Sequence, residues 1–504
     1  MLEKYVKKIL NAKVYNAAIE TPLDMATSLS SRIGNQILIK REDLQPVFSF
    51  KLRGAYNMIA QLTQAQRDAG IICASAGNHA QGVAYAAKLM KIKATIVMPV
   101  TTPGIKVSSV RARGGKVVLH GDSFDEALAH ACELQEQQGL TFVHPYDAPD
   151  VIAGQGTIAR EILHQYNPDE IDAIFIPVGG GGLAAGISAY IKYLRPEIKI
   201  IAVEYEESAC LAAAMQASKR VTLKEVGLFA DGIAVAQIGK ETFKVLKDHV
   251  DEVITVSADE ICAGIKDIFD DTRSVAEPAG AAGIAGLKKY VEKYQLKDKT
   301  LVTICSGANI NFDRLRYVAE RAEVGENNEA IFSVSIPEKP GSFKRFISHI
   351  GKRQITEFNY RYNDAEIARI FVGIKVNGDE EREALLKRFQ EDQYDVLDLT
   401  KNEVAKMHVR HMVGGHSDGV QNEQLLRFEF PERPGALLRF LNALGDQWNI
   451  SLFHYRNHGA AYGRVLTGVQ VPKDEVKDFH AKLDELGYPY WDESNNPVYE
   501  AFLN

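Results

Sequence analysis

Along residues 35–320, short apolar runs alternate with helix-length stretches whose apolar residues recur every three or four positions. The run at 71–74 is followed by a helical pattern at 80–90, the run at 94–98 by one at 103–113, and the run at 173–178 by one at 183–193. Apolar strands alternating with helices predict parallel sheets covered on both faces, a doubly wound α/β architecture. Leu52, Tyr56, Ile59 and Leu62 share one helical face, which places Lys51 at the opening of a helix. Around 321–329 the composition turns polar and predicts a linker.

Beyond the linker the chain repeats itself. Ile336-Pro337-Glu338-Lys339-Pro340-Gly341 with Phe346 recurs as Phe430-Pro431-Glu432-Arg433-Pro434-Gly435 with Phe440, at an offset of 94. Ile355-Thr356-Glu357-Phe358-Asn359-Tyr360-Arg361 recurs as Ile450-Ser451-Leu452-Phe453-His454-Tyr455-Arg456, at an offset of 95. Each copy reads strand, helix, strand, strand, helix, strand, the order of a ferredoxin-like α+β unit. The predicted division is 1–320, a linker 321–329, a first unit 330–405, a connecting segment 406–424 and a second unit 425–504. His408, His411 and His416 in the connecting segment have a spacing that fits no standard metal site, so we expect a loop and no metal.

Length and composition narrow the class. At 504 residues the chain exceeds one core and implies two to four domains. A formal charge of −7 without a basic block argues against a nucleic-acid or anionic-membrane partner. No stretch is apolar enough to span a bilayer, and lysines and a glutamate interrupt the first twenty residues, so no secretory signal is expected. Cys73, Cys132, Cys210, Cys262 and Cys305 are odd in number and widely spaced, which predicts a reducing, cytoplasmic setting.

The candidate chemistry lies in loops outside the carboxyl ends of strands, where such folds bind ligands. Ser49-Phe50-Lys51-Leu52-Arg53-Gly54-Ala55 offers an amine at a helix start. A lysine of ordinary pKa, ~10.4, acts as base or nucleophile only where burial, a nearby cation or the helix dipole favours its neutral form. Phe50 and Leu52 supply apolar flanks, and Arg53 a nearby cation. Ser75-Ala76-Gly77-Asn78-His79 stands between strand and helix. It reads equally as an anion receptor or as a helix start capped by Ser75 or Asn78, with His79 structural. Gly179-Gly180-Gly181-Gly182-Leu183 fits a main chain that must approach a ligand closely, at a helix N-terminus suited to phosphate. It lacks the ending of a Walker loop. Ser306-Gly307-Ala308-Asn309 follows another apolar strand. Glu277, within Ser274-Val275-Ala276-Glu277-Pro278, reads as a site carboxylate or as a favourable charge at a helix start.

Together these motifs resemble the fold type II pyridoxal-phosphate enzymes, and among them the biosynthetic threonine deaminases (threonine ammonia-lyases), over essentially the whole chain. By that resemblance Lys51 binds pyridoxal 5′-phosphate as a Schiff base and serves as catalytic base. Asn78 bonds the cofactor's 3′ oxygen; Gly179, Gly180, Gly181, Gly182 and Leu183 hold its phosphate; Ser306 faces its pyridine nitrogen. Ser75, Ala76, Gly77 and Asn78 receive the substrate carboxylate. The implied reaction converts L-threonine to 2-oxobutanoate and ammonia, the committed step of isoleucine biosynthesis, with L-serine a secondary substrate. The repeats resemble ACT-like regulatory units through which isoleucine inhibits and valine modulates, in a homo-oligomer expected to be a homotetramer. Tyr360 and Tyr455, each followed by arginine, are expected to line the effector pockets, and Phe358 and Phe453 to be core. Serine racemases resemble the same loops but carry serine where Ala76 stands, and their divalent-metal site, beginning at a glutamate similar to Glu204, has an aspartate where this chain has Cys210. A synthase or a catalytically inactive amino-acid sensor are further alternatives. A synthase would not require the doubled unit, and decay into a sensor would erase some of the motif residues.

Overall fold

The computed structural model describes every residue except 326–327, 352, 408, 413, 416, 432–434, 446, 457–461, 497–498, 500–502 and 504. The chain divides into two compact units, Met1–Gly325 and Glu326–Asn504.

Two sheets organise the first unit. One runs Leu23–Met25, Gln36–Arg41, Thr300–Cys305, Ala173–Pro177, Lys199–Tyr205, Glu252–Val256, parallel except for the antiparallel edge strand Leu23–Met25. The other, all parallel, runs Lys116–Leu119, Ala94–Met98, Ile71–Ala74, Thr141–Phe142. Ala173–Pro177 is buried along its whole length, as a strand covered on both faces must be. The helices expected at 80–90, 103–113 and 183–193 occur as Asn78–Met90, Gly104–Ala112 and Gly182–Leu194. The antiparallel edge was not foreseen, because three half-open residues leave no apolar run to read.

One helix crossing positions the chemistry. Lys51–Ala60 meets Pro149–Gln165 at paired glycines: a Cβ on Gly154 would lie 2.6 Å from the Arg53 carbonyl oxygen, and one on Gly54 2.4 Å from Gln155 Nε2. Backbones that close leave no room for side chains between them. The crossing carries the Arg53 side chain to Glu161 on the second helix.

The polar stretch expected as a linker is structured at both ends. Helix Arg314–Gly325 runs through 321–325, and strand Glu329–Pro337 begins at Glu329. Arg321 is buried and donates to Asp259 and to the Tyr317 hydroxyl. A charged side chain with such partners packs like an apolar one, which composition alone does not reveal.

The second unit is one eight-stranded antiparallel sheet: Asp395–Asp398, Glu329–Pro337, Ile367–Lys375, Ile355–Arg361, Asn449–Arg456, Tyr462–Gln470, Glu423–Pro431, Tyr490–Asp492. Each half has the ferredoxin-like strand order 4-1-3-2, and the halves join through their second strands. Phe358 lies opposite Tyr455, Asn359 opposite His454 and Tyr360 opposite Phe453. Asn359 and His454 are equivalent at the offset of 95, so a pseudo-twofold axis passes between them. Two separate units had been expected. Their fusion follows from edge strands whose free N–H and C=O groups pair with each other.

Phe358, Tyr360, Phe453 and Tyr455 all belong to one apolar core. The separation of core phenylalanines from pocket tyrosines therefore needs correction: residues two apart on a strand share a face, and Phe453 and Tyr455 line one cavity together. The Tyr360 hydroxyl bonds Glu338 and its ring packs on Phe343. Arg361, on the opposite face, pairs with Glu423 at 2.5 Å and donates to the Leu503 carbonyl. Arg410, from the connecting segment, is buried against Glu329 and Glu357. His408 and His416, Glu432 to Pro434 of the repeat motif, and Asn457-His458-Gly459 lie outside the described residues.

Candidate active site

Lys51 is the first residue of helix Lys51–Ala60. The chain before it is stitched to the loop after Thr300–Cys305: Phe50 N–H donates to the Ser306 carbonyl at 3.2 Å, and Ser49 bridges Gly307. The Lys51 amine stands 4.7 Å from the Phe50 ring centroid, and among the described residues it has no hydrogen-bond or ion-pair partner. Burial lowers its basicity, against the opposing pull of the Glu277 and Asp231 carboxylates. The neutral amine is thereby favoured.

The cation expected to help, Arg53, does not. Its guanidinium is fully buried on the far side of the helix, two residues from Lys51, between Glu42 (2.7 and 2.8 Å) and Glu161 (2.5 and 2.9 Å). Lys40 joins Glu161 at 2.6 Å, so two cations meet two carboxylates and the cluster is neutral. Positions i and i+2 on a helix point away from each other, so Arg53 anchors the helix from behind while Lys51 leaves its other side, within the influence of Glu277 and Asp231.

Ser75 to Asn78 leave strand Ile71–Ala74 for helix Asn78–Met90. Gly77 is the N-cap and has no side chain to cap with, and a Cβ there would meet nothing within 4 Å. Asn78 does not cap either: its Nδ2 donates to Glu277 at 2.6 Å and its Oδ1 accepts from Asn309 at 2.7 Å. Free N–H groups at a helix start beside open space favour the anion-receptor reading. His79 is buried, its Nε2 on the Val143 carbonyl, with burial pushing its pKa down to about 3. It is neutral and structural.

Gly181 adopts φ +90° as the N-cap of Gly182–Leu194. The glycines are required by the protein's own packing as well as by any ligand. A Cβ on Gly180 would fall 2.3 Å from the Tyr146 ring, and one on Gly179 2.8 Å from the Ile233 backbone. Thr242 Oγ1 holds the Gly180 carbonyl at 2.8 Å. Asp147 accepts the N–H groups of Lys240, Glu241 and Thr242, and His144 Nδ1 accepts those of Tyr146 and Asp147. The turn 144–147 thus braces the glycine loop. It escaped notice in the sequence, although it follows a strand end, Thr141–Phe142, like the other loops. Ser306 is buried, its Oγ donating to the Ala279 carbonyl at 3.3 Å.

Glu204 is committed elsewhere. Its carboxylate accepts Leu211 and Ala212 N–H at 2.7 and 2.8 Å, bracing helix Cys210–Ala217. Burial pushes it up to about 7 against those donors. A carboxyl raised in the folded state contributes stability below its unfolded pKa that is lost as pH rises through the folded value. Glu204→Gln, which does not titrate, should therefore gain melting temperature relative to the parent between pH 5 and pH 8, by the equivalent of up to about 3 kcal/mol. A difference that does not change with pH would refute this. Among the described residues no group of three or more His, Cys, Asp or Glu side chains forms a metal site, and no helix is long and apolar enough to cross a membrane.

The geometry brings together a partnerless lysine amine, two helix N-termini with free N–H groups, a buried serine and a buried glutamate. Residues 14–307 match the family model for pyridoxal-phosphate dependent enzymes, and 320–409 and 414–503 each match that for the C-terminal regulatory domain of threonine dehydratase. The biosynthetic L-threonine dehydratase IlvA of Burkholderia multivorans is 56% identical over 99% of both chains, and that of Escherichia coli 55% over 99% of this chain and 97% of its own. The chain belongs to the biosynthetic threonine dehydratase family. The cofactor of these dehydratases is pyridoxal phosphate. Among solved structures, threonine deaminase isoform 2 of Solanum lycopersicum, in its processed form, matches 64% of this chain and 93% of its own at 50% identity and a TM-score of 0.63. A serine racemase from Dictyostelium discoideum shares the fold at 29% identity and a TM-score of 0.57, over 62% of this chain and 99% of its own.

Proposed function

We infer that the protein deaminates L-threonine to 2-oxobutanoate and ammonia, the committed step of isoleucine biosynthesis, with L-serine as a secondary substrate. The observation that carries this is the Lys51 amine, made less basic by burial and, among the described residues, left without a partner where the motif loops converge. The residues suit pyridoxal phosphate: an amine for its aldehyde, the N-terminus at Gly181, Gly182 and Leu183 with Gly179 and Gly180 for its phosphate, Asn78 for its 3′ oxygen, and the neutral Ser306 hydroxyl for its ring nitrogen. When bound, the cofactor supplies an electron sink that lets the Cα–H bond of the amino acid break. Ala76, Gly77 and Asn78 receive the substrate carboxylate at their backbone N–H groups, with Ser75 offering its hydroxyl because its own N–H donates to the Val97 carbonyl, and together they orient Cα toward Lys51. Lys51 takes the α-proton; loss of the β-hydroxyl and hydration of the product imine then give the oxo acid. Ala76 carries no group able to return a proton from the opposite side, which favours elimination over racemisation.

A 2-oxo acid assay with threonine and serine, combined with chiral chromatography, tests this. Threonine should be consumed at the higher rate with little D-serine formed from L-serine. Substantial D-serine would favour the racemase reading instead.

The regulatory unit binds amino-acid effectors, and we assign isoleucine and valine to two pseudo-equivalent cavities between its halves. One lies between Ile347, Gly351 and Arg353 of the first half and Gly435, Leu437 and Tyr455 of the second. Its counterpart lies between Gly341, Phe343 and Lys344 and Leu441, Gly445 and Trp448. Gly435 and Gly341 are left-handed N-caps of Ala436–Leu444 and Ser342–Ile350, able to receive a carboxylate beside an apolar wall. Leu437 in one cavity faces the role of Phe343 in the other, so the two should differ in effector preference. Tyr455 lines its cavity directly, whereas Tyr360 acts through Glu338, which also accepts from Asn449 of the second cavity. Tyr455→Leu should therefore change isoleucine inhibition more than Tyr360→Leu, within the ~5–150-fold range of such couplings, with basal turnover retained. Unchanged inhibition curves in both variants would place the effectors elsewhere. Five free cysteines support a cytoplasmic setting, and the resemblance supports a homotetramer, which sedimentation would check.

A further inference from the structure

Glu277 has no part in the reaction as described. Its position at the start of helix Pro278–Tyr294 suggests a favourable helix-end charge, yet its side chain makes no capping hydrogen bond. The residue is 4% exposed, and its carboxyl group turns instead into the junction of the site loops. Asn78 Nδ2 donates to its Oε1 at 2.6 Å. A Cβ on Gly307 would come within 2.6 Å of the same oxygen, and one on Gly232 within 3.4 Å.

The bonds around Asn78 fix its amide. Asn309 Nδ2 donates to the Val47 carbonyl at 2.8 Å and to Asn78 Oδ1 at 2.7 Å, so both its hydrogens are used. Asn78 must then present oxygen to Asn309 and nitrogen to Glu277. One Asn78 N–H remains uncommitted. We propose that Glu277 is a positioning residue: with Asn309 it clamps the Asn78 amide so that its remaining N–H is held ready for the 3′ oxygen of the cofactor. The assignment rests on the pyridoxal-phosphate reading of the site.

The clamp also carries a charge that changes near neutrality. Burial, with Asp231 acting in the same direction, pushes Glu277 up to about 7; the Asn78 hydrogen bond, Lys51 and Lys106 pull the other way. As pH rises through that value the carboxyl loses its proton, and the group behind Asn78 becomes an anion. Light absorption by the bound cofactor should register that step, because the charge sits one side chain away from the cofactor's oxygen.

The test uses holoenzyme of the parent, Glu277→Gln and Glu277→Ala, comparing cofactor Kd, visible absorption against pH, melting temperature, and kcat and KM for threonine. Glu277→Ala removes the acceptor, and cofactor Kd should weaken about tenfold to a hundredfold with a shifted absorption band. Glu277→Gln keeps an acceptor oxygen but not the charge. Its affinity should stay within about threefold of the parent, while the pH-dependent absorption step disappears. A lower melting temperature with parental affinity and absorption in both variants would make Glu277 a helix-end residue and overturn the proposal. If the alanine variant does not fold, a parental pH step in Glu277→Gln overturns it equally. A parent protein with no visible band would overturn the cofactor reading itself, and with it this proposal, an outcome distinct from unchanged variants.

Discussion

Lys51→Ala should lose turnover of threonine by at least ~10⁴-fold and lose the visible absorption of covalently held cofactor, with its far-UV circular dichroism unchanged. Two effects combine in one residue. In the proposed function the amine is the covalent anchor and also the group that takes the α-proton. Burial is what lowers its basicity, since Arg53 is spent on Glu42 and Glu161. Replacing it removes an unpaired polar group from a half-buried position, which costs the fold nothing that a lost partner would. Retained absorption with near-normal turnover would show that another amine does the work.

The second large effect is expected for Arg53→Met. The guanidinium is buried between two buried carboxylates, and removing it leaves Glu42 and Glu161 with Lys40 as the one cation of the cluster. Breaking a buried pair in this way costs about 3–5 kcal/mol. The pH dependence gives a sharper signature. Burial pushes Glu42 up, but its partners, Arg53 foremost, outweigh burial and hold it below the usual carboxylate range. A depressed carboxylate contributes stability above its unfolded pKa that is lost as pH falls through the folded value. The variant lacks most of that contribution, so its melting temperature should lie furthest below the parent near neutrality and approach it as the solution is acidified. Because Arg53 also sets the rotation of helix Lys51–Ala60, the holoenzyme should bind cofactor more weakly at temperatures where both proteins are folded. A variant with parental melting temperature would mean that the cluster relaxes by protonation at little cost.

The glycine loop illustrates how sequence and structure divide the explanation. Four successive glycines mark a special backbone, and the strand before them with the helix after them mark a ligand-binding end. Which glycine is needed for what reason is not written locally. Gly180 faces the ring of Tyr146, and Gly179 faces Ile233, partners contributed by loops far along the chain.

The same division holds throughout. Periodicity determined the strands, the helices, the doubled C-terminal pattern and the helix start at Lys51, because each is set by neighbours within a few residues and by burial of one face. The strand-end rule likewise picked out Ser75 to Asn78, Gly179 to Leu183 and Ser306. What only the tertiary structure decided are pairings across distance: Asn78 with Glu277, 199 residues apart, and Arg53 with Glu161, 108 apart. The joining of Ile355–Arg361 to Asn449–Arg456 into one sheet is of the same kind. A charged residue reads as solvent-facing until its partner is brought beside it, and strand periodicity tells which residues share a face without telling what that face meets. For that reason Arg53 reads in the sequence as a cation serving Lys51, Arg321 as part of a polar linker and Glu277 as either a site carboxylate or a helix-end charge, and Tyr360 and Tyr455 read as pocket walls apart from their phenylalanine neighbours. Only the packed chain shows three buried ionic groups and a single aromatic core.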